Sequence, residues 1–173
     1  LASVGTKTPE QVREGIRALE ARAASVPGVE SASAEFGALP FTGSSTLGVL
    51  PTGRAVPQDR MADGYEALFY ATGPSYFQTM QIPLLRGRSF NADDDAHHPN
   101  VVVIDEELAR QLFRGEDPIG QRLTIPGIDH VMQIVGVVGH VKHWGLTRDD
   151  TAAVRGQLYF PYMQLPDILA PMA

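Results

Sequence analysis

The chain has no cysteine. That absence excludes a disulfide scaffold, a thiolate metal site and a cysteine nucleophile together, and it leaves the redox compartment open. Lysine is nearly as scarce, with Lys7 and Lys142 the only two beside twelve arginines. Twenty acidic residues against 14 basic ones give a formal charge of −6, so the cationic excess that a nucleic-acid backbone requires is missing and nucleic acid is no expected partner. Nothing approaches the roughly 18 consecutive apolar residues of a membrane helix.

Reactive motifs are missing as well. No Gly-rich loop ends in Gly-Lys-Ser/Thr, so no nucleotide is bound by that route. Gly136-Val137-Val138-Gly139 lacks the dinucleotide-loop spacing and sits in a β-type run, where its glycines read as close-packing or bulge positions. The stretch Gly43-Ser44-Ser45-Thr46 forms no nucleophile elbow. His97, His98, His130, His140 and His143 fall in no metal-ligand spacing and read as surface histidines. The acidic run Asp105-Glu106-Glu107 stands where a helix N-terminus welcomes negative charge, while Glu116-Asp117 and Asp149-Asp150 are neighbours in turns. Arg86 and Arg88 read as solvated residues of a turn around Gly87. The expectation is no catalytic residue, no cofactor and no metal: not an enzyme.

What is present is a chain of 173 residues with 43% hydrophobic residues, 17 Gly and 13 Pro. That is one domain, or two small lobes sharing a core, able to bury about 70% of its unfolded surface. The chain starts at Leu1 without a signal-like region, as an excised piece of a longer protein would.

Thr8-Pro9-Glu10-Gln11 opens a helix with a capping box, and Pro27-Gly28 stops it. Val12, Ile16, Leu19, Ala23 and Val26 recur at helical spacing as its apolar face. A weak strand is expected over 29–38, and a long irregular segment over 39–64. Tyr65 to Thr72 reads as a buried strand, Tyr76 to Met80 as a short helix, and Ile82 to Leu85 as a short strand before the Arg86-Gly87-Arg88 turn. Asp93 to Asn100 is a solvated loop. Val101 to Ile104 is an apolar strand, after which Asp105 caps a helix ended by Gly115. Arg122 to Ile125, Val131 to Val141 and Gln157 to Tyr162 are further strands. Helices and strands mix without a βαβ repeat, so the class is α+β.

Five small motifs follow one another in order. They are 76–90 (YFQTMQIPLLRGRSF), 101–110 (VVVIDEELAR), 113–122 (FRGEDPIGQR), 134–141 (IVGVVGHV) and 158–162 (LYFPY). In this order they resemble the periplasmic core domain of macrolide-exporter-like (MacB-like, FtsX-like) ABC transporter permeases, most of all the duplicated permeases of Acidobacteria. The resemblance covers essentially the whole chain. Two positions depart from it: Gln81 stands where the family usually has Gly, and His140 where an acidic residue is common. The family's domain also usually continues past the last aromatic strand.

The resemblance implies an extracytoplasmic α+β domain with mixed sheets, carried between two transmembrane helices on the outer side of the bacterial cytoplasmic membrane. It implies a membrane-proximal lobe, residues 1–74 with 152–173, into which a small α/β lobe, residues 75–151, is inserted. It implies a non-catalytic part that couples ATP hydrolysis at a cytoplasmic ABC domain or subunit to export or to an envelope partner such as a periplasmic adaptor. Two other readings stand beside it: a freestanding α+β enzyme or small-molecule-binding protein, and a scaffold recruiting an extracellular cell-wall enzyme. Residues 39–64 and the Asp93–Asn100 loop are the candidate contact surfaces.

Overall fold

The computed structural model describes residues 8–37, 46–60, 64–126, 128–141 and 155–164. Its first helix, α1 (Pro9–Ala24), begins where the capping box lies: the Thr8 hydroxyl accepts from the Gln11 amide, and the Gln11 side chain accepts from the Thr8 amide. The strands are β1 (Glu35–Gly37), β2 (Thr46–Pro51), β3 (Tyr65–Thr72), β4 (Leu84–Gly87), β5 (Val101–Asp105), β6 (Arg122–Ile125), β7 (Ile128–Val138) and β8 (Gly156–Pro161). Helices α2 (Tyr76–Thr79) and α3 (Glu106–Phe113) complete the α+β fold.

The strand pairings repeat one pattern twice. β3 runs parallel to β8 along one edge, and its other edge is shared by antiparallel β2 and β1. β7 runs parallel to β5 along one edge, and its other edge is shared by antiparallel β6 and β4. The two groups of four strands meet at two antiparallel junctions, β5 with β8 and β2 with β6. Following neighbours from β3 through β8, β5, β7, β6 and β2 therefore returns to β3.

Side-chain alternation divides the interior in two. On one face Ala67, Ala71, Val102, Ile104, Leu158 and Phe160 pack with Leu108, Leu112 and Phe113 of α3. On the other, Leu68, Tyr70, Val103 and Tyr159 pack with Tyr76 and Phe77 of α2. There Tyr159 stacks on Tyr70 at 5.0 Å and meets the Phe77 ring edge-on at 5.0 Å.

Several expectations change. The expected apolar stripe of α1 faces the core only in part: Ile16 packs against it and Ala23 is half-buried, but Leu19 is 65% and Val26 51% exposed, and Val12 is also exposed. The inward row is Arg13, Ile16, Glu20 and Ala23. Polar bonds select that row, because Arg13 donates to the Met163 carbonyl at 2.7 Å. Glu20 likewise accepts from the Ala34 amide at 2.7 Å and the Tyr162 hydroxyl at 2.8 Å. Within 29–37 only Glu35–Gly37 forms a strand, residue 38 lying outside the described residues, while the expected irregular 39–64 stretch holds β2 and a 3-10 turn at Gln58–Arg60. Gly48 and Pro51 blur the alternation that places Val49 inside. The rest of that stretch, 39–45 and 61–63, lies outside the described residues.

Arg86 and Gly87 belong to β4 rather than to a turn, paired with β7. β7 itself begins earlier than expected and stops at Val138. Gln81 has a left-handed backbone, φ 55°, a conformation that favours glycine, the residue the resemblance implies at this position. Gln81→Gly is expected to raise stability by up to about 1 kcal/mol, and the β-branched Gln81→Val to lower it, as urea-denaturation midpoints would report.

Candidate functional site

The two junctions between the four-strand groups are where polar chemistry gathers. At the β5–β8 junction only Val103/Tyr159 and Ile104/Leu158 pair. Beyond each end, side chains replace the ladder. At one end the Val101 amide donates to Gln164 Oε1 at 3.0 Å, and Gln164 Nε2 donates to the Asp95 and Pro99 carbonyls. At the other end sits Asp105, fully buried. Its Oδ1 accepts from the Leu108 amide at 2.8 Å, capping α3, and from the Gln157 amide of β8 at 2.9 Å. Its Oδ2 meets His140 Nδ1 at 2.5 Å. Gln157 then binds the Val141 backbone twice, accepting from its N–H at 3.2 Å and donating to its carbonyl at 2.6 Å. Its Oε1 also accepts from the buried Tyr159 hydroxyl at 3.0 Å.

The bond to Asp105 raises the His140 pKa above the ordinary imidazole value. Partial burial opposes the rise, and the charges of Asp105, Glu107 and Glu106 add to it.

The β2–β6 junction pairs Leu50 with Thr124 and Pro51 with Leu123. Past it, Arg54 lies over the Phe113 ring, 5.1 Å from its centroid, and forms an ion pair with Glu116. That pair raises the arginine and lowers the glutamate pKa. A cleft of about 330 Å³ opens here between Pro51, Pro57 and Tyr65 on one side and Gln111, Phe113 and Arg114 on the other.

The residues singled out in the sequence fall elsewhere or take structural roles. Asp105 is a helix cap, as its position implied, and also the hub of the β5–β8 junction. Gly136 is a close-packing glycine beside a register shift in the β5–β7 pairing. Arg88 is not merely solvated: it grips the buried Asp94 carboxylate with both guanidinium nitrogens, at 2.7 and 2.8 Å. The Asp93–Asn100 loop is thereby built around an internal acid, with Asp95 joined to the exposed His98. Asp94 also accepts from the Asn91 amide. Among the described residues no three of His, Asp and Glu gather as a metal site. His130 Nδ1 lies 3.5 Å from Asn100, and His97 is exposed. Ser44, Ser45, His143, Asp149 and Asp150 lie outside the described residues.

Sequence reasoning missed Gln157, Arg54 and the pairing of Arg54 with Glu116. Nothing in the chain links residues 54 and 116, which only the β2–β6 junction brings together.

This fold is the one found in the extracytoplasmic regions of ABC-type permeases. The periplasmic region of MacB from Actinobacillus actinomycetemcomitans superposes with a TM-score of 0.60 at 18% identity, over 89% of this chain and 58% of that one. The extracellular domain of the noncanonic ABC-type transporter YknZ from Gram-positive bacteria gives 0.58 at 16% identity, over 91% and 65%. The chain belongs to the MacB-like periplasmic core domain family, whose profile matches residues 3–170. In sequence it is similar to the macrolide export ATP-binding/permease protein MacB of Azoarcus sp., 34% identical over 86 residues, which is 49% of this chain and 13% of that protein. The MacB of Pasteurella multocida is 39% identical over 72 residues, 42% of this chain and 11% of that protein. The chain thus spans only a small part of these relatives, and no helix among the described residues is long and apolar enough to cross a membrane.

Proposed function

We propose that this domain is a non-catalytic coupling element on the outer side of the bacterial cytoplasmic membrane. It relays the cycle of a cytoplasmic ATP-binding ABC domain or subunit, through the permease's own transmembrane helices, to export or to an envelope partner such as a periplasmic adaptor. The moving parts are two lobes, residues 1–74 with 152–173 and residues 75–151.

The observation that carries this reading is the repeated pairing pattern. The first lobe would hold β1, β2, β3 and β8, and the second β4 to β7. Within each, the central strand pairs with its parallel neighbour over five or six residues, six for β3–β8 and five for β5–β7. Each junction between them pairs only two residues per strand. Because both apolar faces are shared by the two groups, the motion these short antiparallel seams permit is a small shear, which the longer ladders resist. The family match along residues 3–170 leaves the freestanding-enzyme reading without support, and neither relative described above points to a cell-wall-enzyme scaffold.

These 173 residues hold no cysteine, so no thiol within the domain competes with a staple. In the full permease, oxidising a Leu50→Cys/Thr124→Cys pair across the β2–β6 seam should suppress transport-coupled ATP turnover, and reduction should restore it. A Gly48→Cys/Glu66→Cys pair inside one lobe should leave turnover unchanged. Full turnover with the oxidised seam staple would refute the coupling role.

A further inference from the structure

The β5–β8 seam ends in a titratable cluster. Asp105 is fully buried, and its two oxygens hold three separate elements: the first turn of α3, the backbone of β8 at Gln157, and His140 beyond the end of β7. We infer that protonated His140, inside one lobe, balances the Asp105 charge where that carboxylate accepts from Gln157 of the other lobe, and that loss of its proton loosens this seam. The inference deepens the two-lobe reading and rests on it.

The argument is one of charge balance. A buried carboxylate is stable only when paired and fully hydrogen-bonded. Two amides and the imidazole supply the bonds, and among the described residues the imidazolium is the only cation in contact with Asp105. The nearby Arg110 of α3 is engaged by Glu107 and Glu106 instead. Among the described residues the charged groups facing His140 are Asp105, Glu106, whose Oε1 accepts from the His140 amide at 3.4 Å, and Glu107, all acidic. From β8 the neighbouring Val141 backbone meets the neutral Gln157 side chain, which accepts from the Tyr159 hydroxyl, kept protonated far above neutral pH by burial. Removing the proton from His140 therefore leaves Asp105 without a cationic partner among the described residues, beside Glu106 and Glu107. The hydrogen bond can survive in the Nδ1–H tautomer, so the seam slackens rather than breaks.

The sign follows from the raised folded-state pKa. The fastening is complete below the ordinary imidazole value and is lost as pH rises through the raised one. His140 is 22% exposed, so protons exchange with solvent without unfolding.

Amide hydrogen exchange, corrected for the intrinsic pH dependence, reads this directly. The Gln157 and Leu108 amides and the β5–β8 pairs should lose protection as pH rises past the His140 pKa, which ring NMR measures in the same sample. The β3–β8 and β5–β7 ladders should hold. In His140→Gln, where a neutral amide can still donate to Asp105, the pH dependence should vanish. In Asp105→Asn the amide favours neutral His140, and protection should no longer fall with pH. If His140→Gln keeps the wild-type pH dependence, another histidine is responsible and the inference fails. Seams that open before the ladders but at a pH-independent rate would also overturn it, leaving the two lobes intact. Seams and ladders opening together at every pH would overturn the two-lobe reading itself.

Discussion

Replacing Asp105 with alanine should cost about 3–5 kcal/mol, the toll for breaking a buried, hydrogen-bonded ion pair from one side. Two losses act at once. The Leu108 and Gln157 amides, now bonded at 2.8 and 2.9 Å, are left without acceptors in a dry environment. His140 also loses the partner that stabilises its charged form. Asp105→Asn divides these contributions. Asparagine is as good a helix cap as aspartate, and its carbonyl can keep both amides, so only the charge pairing goes. The expected cost is about 1–2 kcal/mol at acidic pH. It shrinks as pH rises and His140 becomes neutral. Urea denaturation at two pH values measures both variants. Equal losses for Ala and Asn at each pH would mean that the cap and the seam bond contribute nothing.

The cap at Asp105 was legible because capping is local: a carboxylate followed by acidic residues and a helical apolar pattern states its role within four positions. The same locality made Thr8–Gln11 legible as the start of α1. The aromatic-rich strand Tyr65–Thr72 and the continuous apolar run Val101–Ile104 were legible for a similar reason. What the sequence could not show was partnership at long range. Gln157 is an ordinary polar residue until β8 lies beside β5, and Arg54 is one of twelve arginines until β2 meets β6. The inward face of α1 was legible only at Ile16 and Ala23, because periodicity ranks faces by hydrophobicity. Its docking is decided by polar atoms, with Arg13 reaching Met163 and Glu20 reaching Ala34, Ser33 and Tyr162. The order of the family motifs conveyed fold and setting, yet both departures from the family pattern coincide with special local structure: Gln81 in a left-handed turn and His140 on a buried acid.

Gly136→Ala should be as damaging as loss of the hub, by a different mechanism. Gly136 of β7 lies opposite Gly87 of β4. A Cβ on Gly136 would stand 2.2 Å from the Arg88 carbonyl oxygen, and one on Gly87 would stand 2.2 Å from the Val135 oxygen. Both obstacles are backbone atoms, so no rotamer change relieves the contact. β4 must move outward instead, and the Arg88 amide then loses its 2.9 Å bond to the Val135 carbonyl. Displacing Arg88 pulls its guanidinium from the buried Asp94, which anchors the 91–98 loop. Overpacking combined with a broken buried pair gives a loss of at least about 3 kcal/mol. Gly115 supplies the comparison. Its φ of 95° also disfavours alanine, but a Cβ there meets nothing within 4 Å. Gly115→Ala should therefore cost only about 1 kcal/mol, the conformational penalty alone. If the two alanine variants unfold at the same urea concentration, close approach of β4 to β7 is not what glycine at position 136 provides. If Gly136→Ala alone unfolds early and strips exchange protection from β4 before β5, the paired glycines are what hold β4 to its sheet.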